Sequence, residues 1–345
     1  MATAKISNPQ AAKAIAEMEK LTLPPYAQGK PYVLDALAGE IIYIPTSAQA
    51  TRLLVTGKET DNEFAIVGCG GVATPFPVPF HYHNEAHDVF LCIKGQIRIW
   101  TNDQCRTMGP GDYASVPPTH LHSYHLIGDY SEMCGIIVPG GSPLETLVPR
   151  MKAAAEKFDL VPQPFYNRVE EQPWSAETDH KLPGELVPYF LRNGAGPNAC
   201  VSGTVVRPLS TRKESAGKFT VGSIEGSSAH SAQVLDKTWS FSGVGHCFYT
   251  VEGFAMFTVD DHAPVRIGPM ETVYLPKGTR WSVRWDSRYV KMYVYSSGGG
   301  IVELLAEAGK DFPHKGPHCM IPAETTGAPA ESVAGKLEEF GAKMV

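Results

Sequence analysis

Two halves of the chain carry the same punctuation, and this repeat limits the folds open to it. Phe64-Ala-Ile-Val-Gly68, closing at Gly71, is echoed by Phe219-Thr-Val-Gly222, closing at Gly226. Asp88 to Gly95 matches His246 to Gly253 in length, each with an aromatic two residues in (Phe90, Phe248). Gly109-Pro110 followed by Pro117 matches Gly268-Pro269 followed by Pro276. Self-similarity this long means two copies of one β unit. Between the markers lie short runs rich in Val, Ile, Phe and Tyr, such as Glu40–Ile44, Glu63–Val67, Val89–Ile93, Gln96–Trp100 and Ser131–Val138. With turn residues roughly every eight to twelve positions, such runs read as strands.

The expected class is therefore mainly β. The units are placed at 1–145 and 204–345, joined by a proline-rich connector over 146–203 that is free to pack against both. Helices are few. Asn8-Pro9 can cap and start one over about 9–20. Ser142-Pro143-Leu-Glu145 has the form of a capping box opening another, running to about 158. Residues 301–309 and 330–343 are read as C-terminal helices, with Ser297-Gly-Gly-Gly300 as a turn before the first.

Length and charge narrow the function classes. At 345 residues and a formal charge of −6, without a basic tract longer than two residues, nucleic acid is not an expected partner. No apolar run of about 18 residues is present, so no membrane partner is expected either. Met1-Ala-Thr-Ala-Lys-Ile-Ser holds no apolar signal-peptide core. The seven cysteines are scattered and odd in number, as for reduced thiols. Together these predict a cytoplasmic protein.

The chemistry concentrates in one place. Six of the twelve histidines fall within residues 81–125. Residues two apart on a strand point the same way, so His81 and His83 can grip one ion from a single face. His122, arriving after a hairpin, can close the set. Imidazoles with a carboxylate suit Cu, Fe, Ni, Mn or Zn. His120 shares the parity of His122 and His125 should face away; Glu85 and His87 join the ligand face only if the strand is regular through 87, and His87, His120 and His125 are read mainly as surface or loop residues. The second copy lacks the pattern. Trp239 and Phe241 stand where His-x-His would be, His246 where the carboxylate would be, and Trp281 where the last histidine would be. That is a packed aromatic core without a metal cage.

The first unit resembles the cupin fold. Its signatures are matched by Gly71, His81, His83, Asp88 and Gly95, then by Gly111, Pro117 and His122, with Thr119 where the family has a second glycine. The duplication and the phrase Phe80-His-Tyr-His83 are similar to the fungal quercetin 2,3-dioxygenase bicupins. The resemblance implies two tandem jelly-roll barrels with a long connector and a few peripheral helices. It implies one divalent transition metal in the N-terminal barrel, copper or iron first, held by His81, His83 and His122. It puts Asp88 at the position of a glutamate that both ligates the metal and takes the substrate's hydroxyl proton. Asp88 is one methylene shorter, by about 1.3–1.5 Å, so ligation, orientation of a water and a three-histidine site all stay open. The family's pocket wall falls on Phe90, Tyr124, Met133 and Ile137, and strand alternation agrees: Phe90 shares a face with Asp88 and Tyr124 with His122, while Met133 and Ile137 keep even spacing on the next strand.

The implied activity is a dioxygenase acting with O2 on a phenolic or enolic aromatic, flavonol-like or polyketide-derived, in secondary metabolism. A non-oxidative metal enzyme (isomerase, cyclase, decarboxylase or hydrolase) and a non-catalytic ligand-binding bicupin remain alternatives. Cupins often dimerise, which adds a homodimer to the expected partners.

Overall fold

The computed structural model describes residues 16–44, 49–140, 159–163, 166–312 and 327–345. The fold is mainly β, built from a ten-stranded, a nine-stranded and a five-stranded sheet with few helices. The ten-stranded sheet forms the first unit. Its order runs Tyr189–Leu191, Tyr113–Val116, His87–Thr101, His122–Val138, Ala65–Gly71, Gln49–Val55 and Glu40–Ile44, with Gln104–Met108, His81–His83 and Leu160–Pro162 attached off this path.

Two strands are longer than their sequence runs suggest. Val89–Ile93 and Gln96–Trp100 are parts of one strand, His87–Thr101. Met133 and Ile137 are not on a strand separate from His122 and Tyr124, because all four lie on His122–Val138. The pairing of these two strands shifts register between Ile127 and Met133. The bend needs a glycine: Gly95 sits at φ +70°, and a Cβ there would lie 2.2 Å from the Tyr130 carbonyl oxygen. Gly253 repeats this at φ +70°, 2.1 Å from the Tyr289 oxygen. In the second unit the corresponding path is divided between His246–Glu252 in the nine-stranded sheet and Ala255–Val259 in the five-stranded one.

The N-terminal segment crosses to the second unit, and the connector adds a strand to the first. Tyr32–Leu34 pairs with Thr272–Tyr274 of the second unit, while Tyr189–Leu191 pairs with Tyr113–Ser115 of the first. Between the units lies one apolar cluster that includes Tyr32, Leu54, Val89 and Leu91 together with Phe219, Val221, Cys247 and Tyr293. Inside it Arg52 pairs with Glu132, and Tyr249 Oη donates to the same Glu132 carboxylate at 3.2 Å. Buried ions are tolerated only when paired and hydrogen-bonded, and here one carboxylate serves both units.

The helix expectations fare unevenly. Ile301–Ala308 is an α-helix. Residues 330–343 are not one: Ala330–Lys336 is a 3₁₀ stretch, and Ala342–Met344 becomes a strand beside Trp239–Phe241, gaining ladder hydrogen bonds. Of the 9–20 segment, 9–15 lies outside the described residues, and the rest is not helical, with Lys20–Leu21 a strand. The 142–158 segment also lies outside them. A short helix went unnoticed at Gly57–Thr60, where Thr56 and Glu59 form a capping box. The six described cysteines are free and buried, and no described helix is long and apolar enough to cross a membrane.

Candidate metal centre

His81 and His83 lie on one three-residue strand with Tyr82 between them turned the other way, as alternation requires. That strand is held from both sides. His81 pairs with His122, while Leu160–Pro162 from the connector runs antiparallel along His81–His83. His122 opens its strand directly after a turn in which Thr119 N–H donates to the His83 carbonyl at 2.6 Å. Thr119 adopts φ +67°, which explains why a glycine suits this position. Asp88 enters from the neighbouring long strand.

One ligand atom from each of His81, His83, Asp88 and His122 lies within 4.8 Å of the others, and all four residues are buried. The Asp88 Oδ2 is 3.3 Å from both His83 Nε2 and His122 Nε2. Donors bound at roughly 2.0–2.2 Å to one cation stand about 3.0–3.5 Å apart, so the Asp88 carboxylate is near enough to share one cation with His83 and His122. The outer nitrogens face oxygens: His81 Nδ1 donates to Pro79 O at 2.8 Å and His122 Nδ1 to His120 O at 3.0 Å. Such contacts fix the tautomer and turn the inner lone pair toward a metal. His83 Nδ1 faces Asp159 Oδ1 at 3.6 Å, and Asp159 also accepts from Glu85 N at 2.8 Å.

The electrostatics agree with this arrangement. Burial, aided by the neighbouring His122, pushes the His81 imidazole down to about 3, so its lone pair is available. Burial alone would raise the Asp88 carboxyl, but the His83 and His122 imidazoles outweigh it and hold it well below the usual carboxylate range. His122 Nε2 and Asp88 Oδ1 are buried without hydrogen-bond partners. Buried imidazole nitrogens and a buried carboxylate converging on one point suit a cation, and this donor set fits a divalent transition metal.

Of the four residues expected to wall a pocket, Phe90 lies beside the cluster and Tyr124 lies beside Phe90. The Phe90 ring is 5.8 Å from His122 and 5.9 Å from Tyr124. Met133 shares an apolar cluster with Phe90, Cys69 and Phe190. Ile137 is the cross-strand partner of Asp88. Other histidines are not in the set. His120 Nδ1 binds Pro118 O at 2.9 Å, and His125 Nε2 binds Thr74 O at 2.6 Å. Glu85 is exposed. His87 is not a surface residue: it is buried, bonds Ser115 Oγ at 2.7 Å and packs 4.8 Å from the Phe219 ring of the second unit. The docked second copy, which single-unit parity ignores, covers it. Asp159 was missed as well, because a residue in a connector has no periodic signal.

The second unit repeats the backbone without the donors. Trp239 pairs with Trp281 as His81 pairs with His122. Gly278, at φ +80°, donates to the Phe241 carbonyl at 2.8 Å as Thr119 does to His83. The Trp239, Phe241 and Trp281 rings stack at centroid distances of 6.1–6.4 Å. His246 lies among them and accepts the Ile301 N–H at 3.1 Å.

With this twofold repeat in view, the comparisons with known proteins agree. Residues 74–138 match the cupin domain model. Quercetin 2,3-dioxygenase of Aspergillus japonicus is 24% identical over 317 residues, covering 78% of this chain and 90% of that protein. The chain has a bicupin fold. A second relative, quercetin 2,3-dioxygenase of Bacillus subtilis, is 33% identical over 142 residues, 39% of the bicupin and 41% of that protein. Among solved structures, a variant oxalate decarboxylase from B. subtilis aligns with a TM-score of 0.53 at 14% identity, covering 80% of each chain. The formate complex of Lactobacillus farciminis oxalate decarboxylase gives 0.52 at 14% identity, covering 81% of the bicupin and 90% of that chain. These structural likenesses speak to the fold.

Proposed function

We propose that this bicupin is a mononuclear metal-dependent dioxygenase acting on a phenolic or enolic aromatic, flavonol-like or polyketide-derived, together with O2. The observation that carries the reading is the convergence of three imidazoles and one carboxylate in the buried N-terminal cluster, in a homologue of quercetin 2,3-dioxygenase. His81, His83 and His122 would hold the metal, copper or iron first, with Asp88 beside or among them. When bound, the metal supplies Lewis acidity toward the substrate hydroxyl and a meeting point for substrate and dioxygen.

The remaining roles belong to side chains of the protein. Asp88, held ionised, takes the hydroxyl proton onto a carboxylate oxygen once the substrate oxygen comes within about 3 Å. Phe90, Met133 and Ile137 exclude water and hold the ring plane. The Tyr124 hydroxyl is kept protonated, since burial lifts it well above its usual value, and it can donate to substrate. The free buried thiols suit a reducing, cytoplasmic setting.

The test is metal analysis of freshly purified protein joined to an oxygen electrode and a panel of flavonols and enolic aromatics. Roughly one metal per chain with oxygen uptake matched to substrate loss is expected. Substrate turnover without oxygen uptake would replace the proposal with a non-oxidative metal enzyme, and ligand binding without turnover would replace it with a binding protein.

A further inference from the structure

Gln49 is a buried amide that the proposed chemistry does not use. It is 2% exposed, and its Nε2 has no hydrogen-bond partner. Its strand pairs Gln49 with Gly71 and Thr51 with Cys69, and Cys69 in turn pairs with Met133. Alternation therefore turns Gln49 to the same barrel interior as Cys69 and Met133. Burial raises the Cys69 thiol to about 11, so it stays protonated. It donates to Gln49 Oε1 at 3.9 Å, with the amide NH2 turned away from it. The same sulfur lies 4.0 Å from Tyr124 Oη. From there the contacts run through the Phe90 ring to His122. A buried donor with no acceptor is rare in a folded protein and calls for a partner.

Resting on the function proposed above, we infer that Gln49 Nε2 and Tyr124 Oη form a donor subsite in the barrel interior, one aromatic ring, Phe90, removed from His122. It takes an acceptor oxygen, hydroxyl or carbonyl, on the outer ring of the aromatic substrate. A site built to hydrogen-bond such an oxygen discriminates strongly against analogues lacking it, because the donor is then left unpaired.

Quercetin and 3-hydroxyflavone test this. Both offer the same hydroxy-ketone to a metal, and only quercetin carries hydroxyls on the outer rings. In metal-loaded wild-type protein, quercetin is expected to bind at least about tenfold more tightly, followed by tryptophan quenching or calorimetry. Gln49→Met, close in volume and without the donor, weakens quercetin about tenfold, leaves 3-hydroxyflavone within about twofold, and keeps the metal content. Equal affinity of the wild type for both ligands overturns the subsite, even if the variant fails to fold. Equal losses for both ligands in the variant overturn it too, and show an amide satisfied by water or by packing alone. Either result leaves the proposed function standing. Failure of the wild type to bind either flavonol overturns the substrate class and the subsite together.

Discussion

The two barrels share a register and differ in what they place on it. At one cross-strand pair the first unit sets His81 against His122, and the second sets Trp239 against Trp281. Around these pairs the backbone devices recur. The bends fall at Gly95 and Gly253, and the carboxylates of Asp112 and Glu271 accept Gly109 N–H and Gly268 N–H at 2.8 and 2.6 Å. The jelly roll therefore does not need the site. The first unit keeps lone pairs buried and unpaired, which costs stability. The second fills the same space with stacked aromatics, each contributing about 1.5–3 kcal/mol by burial. One copy gathers metal-ligating side chains while the other buries aromatic rings at the matching positions.

The sharpest break of this comparison is a pair of truncations at matched positions. His122→Ala should leave less than about a tenth of the metal and lower turnover by on the order of a thousandfold or more. Its unfolding midpoint should stay near that of the metal-free wild type. Trp281→Ala should do the opposite, destabilising by about 3–5 kcal/mol through the cavity left while the folded fraction keeps its metal. Elemental analysis and denaturant titration check both. Similar stability losses in the two variants would show that the barrels are not divided in role.

Acid separates the units next. Burial holds the His246 imidazole down at about 3 against an ordinary 6.5. Its folded pKa lies below its unfolded one, so the unfolded chain binds the extra proton. Stability is full above about pH 6.5 and falls as pH drops toward 3, by roughly 3–5 kcal/mol from this group. His87, lowered to about 3 by its own burial, adds a parallel term from the first unit. With the His81 imidazole also held down at about 3 in the metal-free protein, His246→Leu should remove about a third of the combined slope, at a small cost at neutral pH for the orphaned Ile301 N–H. Denaturant midpoints at pH 7, 5 and 4 measure it. An unchanged slope would mean that another group carries the acid sensitivity.

How much of this was legible in the residues depends on range. The repeat, the strands and the His81, His83, Asp88 and His122 cluster could be read because alternation and spacing are local rules. The loss of donors from the second unit could be read by laying the two copies side by side. What was hidden is long-range. His87 is buried by the other unit, Ala342–Met344 becomes a strand because Trp239–Phe241 offers an open edge, and Tyr32–Leu34 joins the sheet of the second copy. Asp159 belongs to this group, since its place beside His83 comes from the connector folding back along the histidine strand. Asp159→Ala should weaken metal affinity about 10–100-fold by removing the carboxylate beside His83 Nδ1. Competition with a chromogenic chelator reads this without any turnover. An unchanged affinity would reduce the connector's part to strand pairing.

The smallest expected effect is also the most direct comparison of the copies. Thr119 and Gly278 occupy the same turn, at φ +67° and +80°, each donating to the carbonyl of the last residue of the strand before it in the sheet. A β-branched residue in the left-handed region is strained, and the strain there is worth about 1–2 kcal/mol for an L-residue. Glycine relieves it but loses more chain entropy on folding. Thr119→Gly should therefore stabilise the first unit by about 0.5–1 kcal/mol, and Gly278→Thr should destabilise the second by about 1 kcal/mol. Both are small shifts in denaturant midpoint at constant slope. Stabilisation should come with faster metal exchange at His122, three residues on, if the strained turn is what holds that imidazole still. A Thr119→Gly protein with tighter metal binding and no gain in stability would show that the threonine side chain, and not the backbone angle, sets the turn.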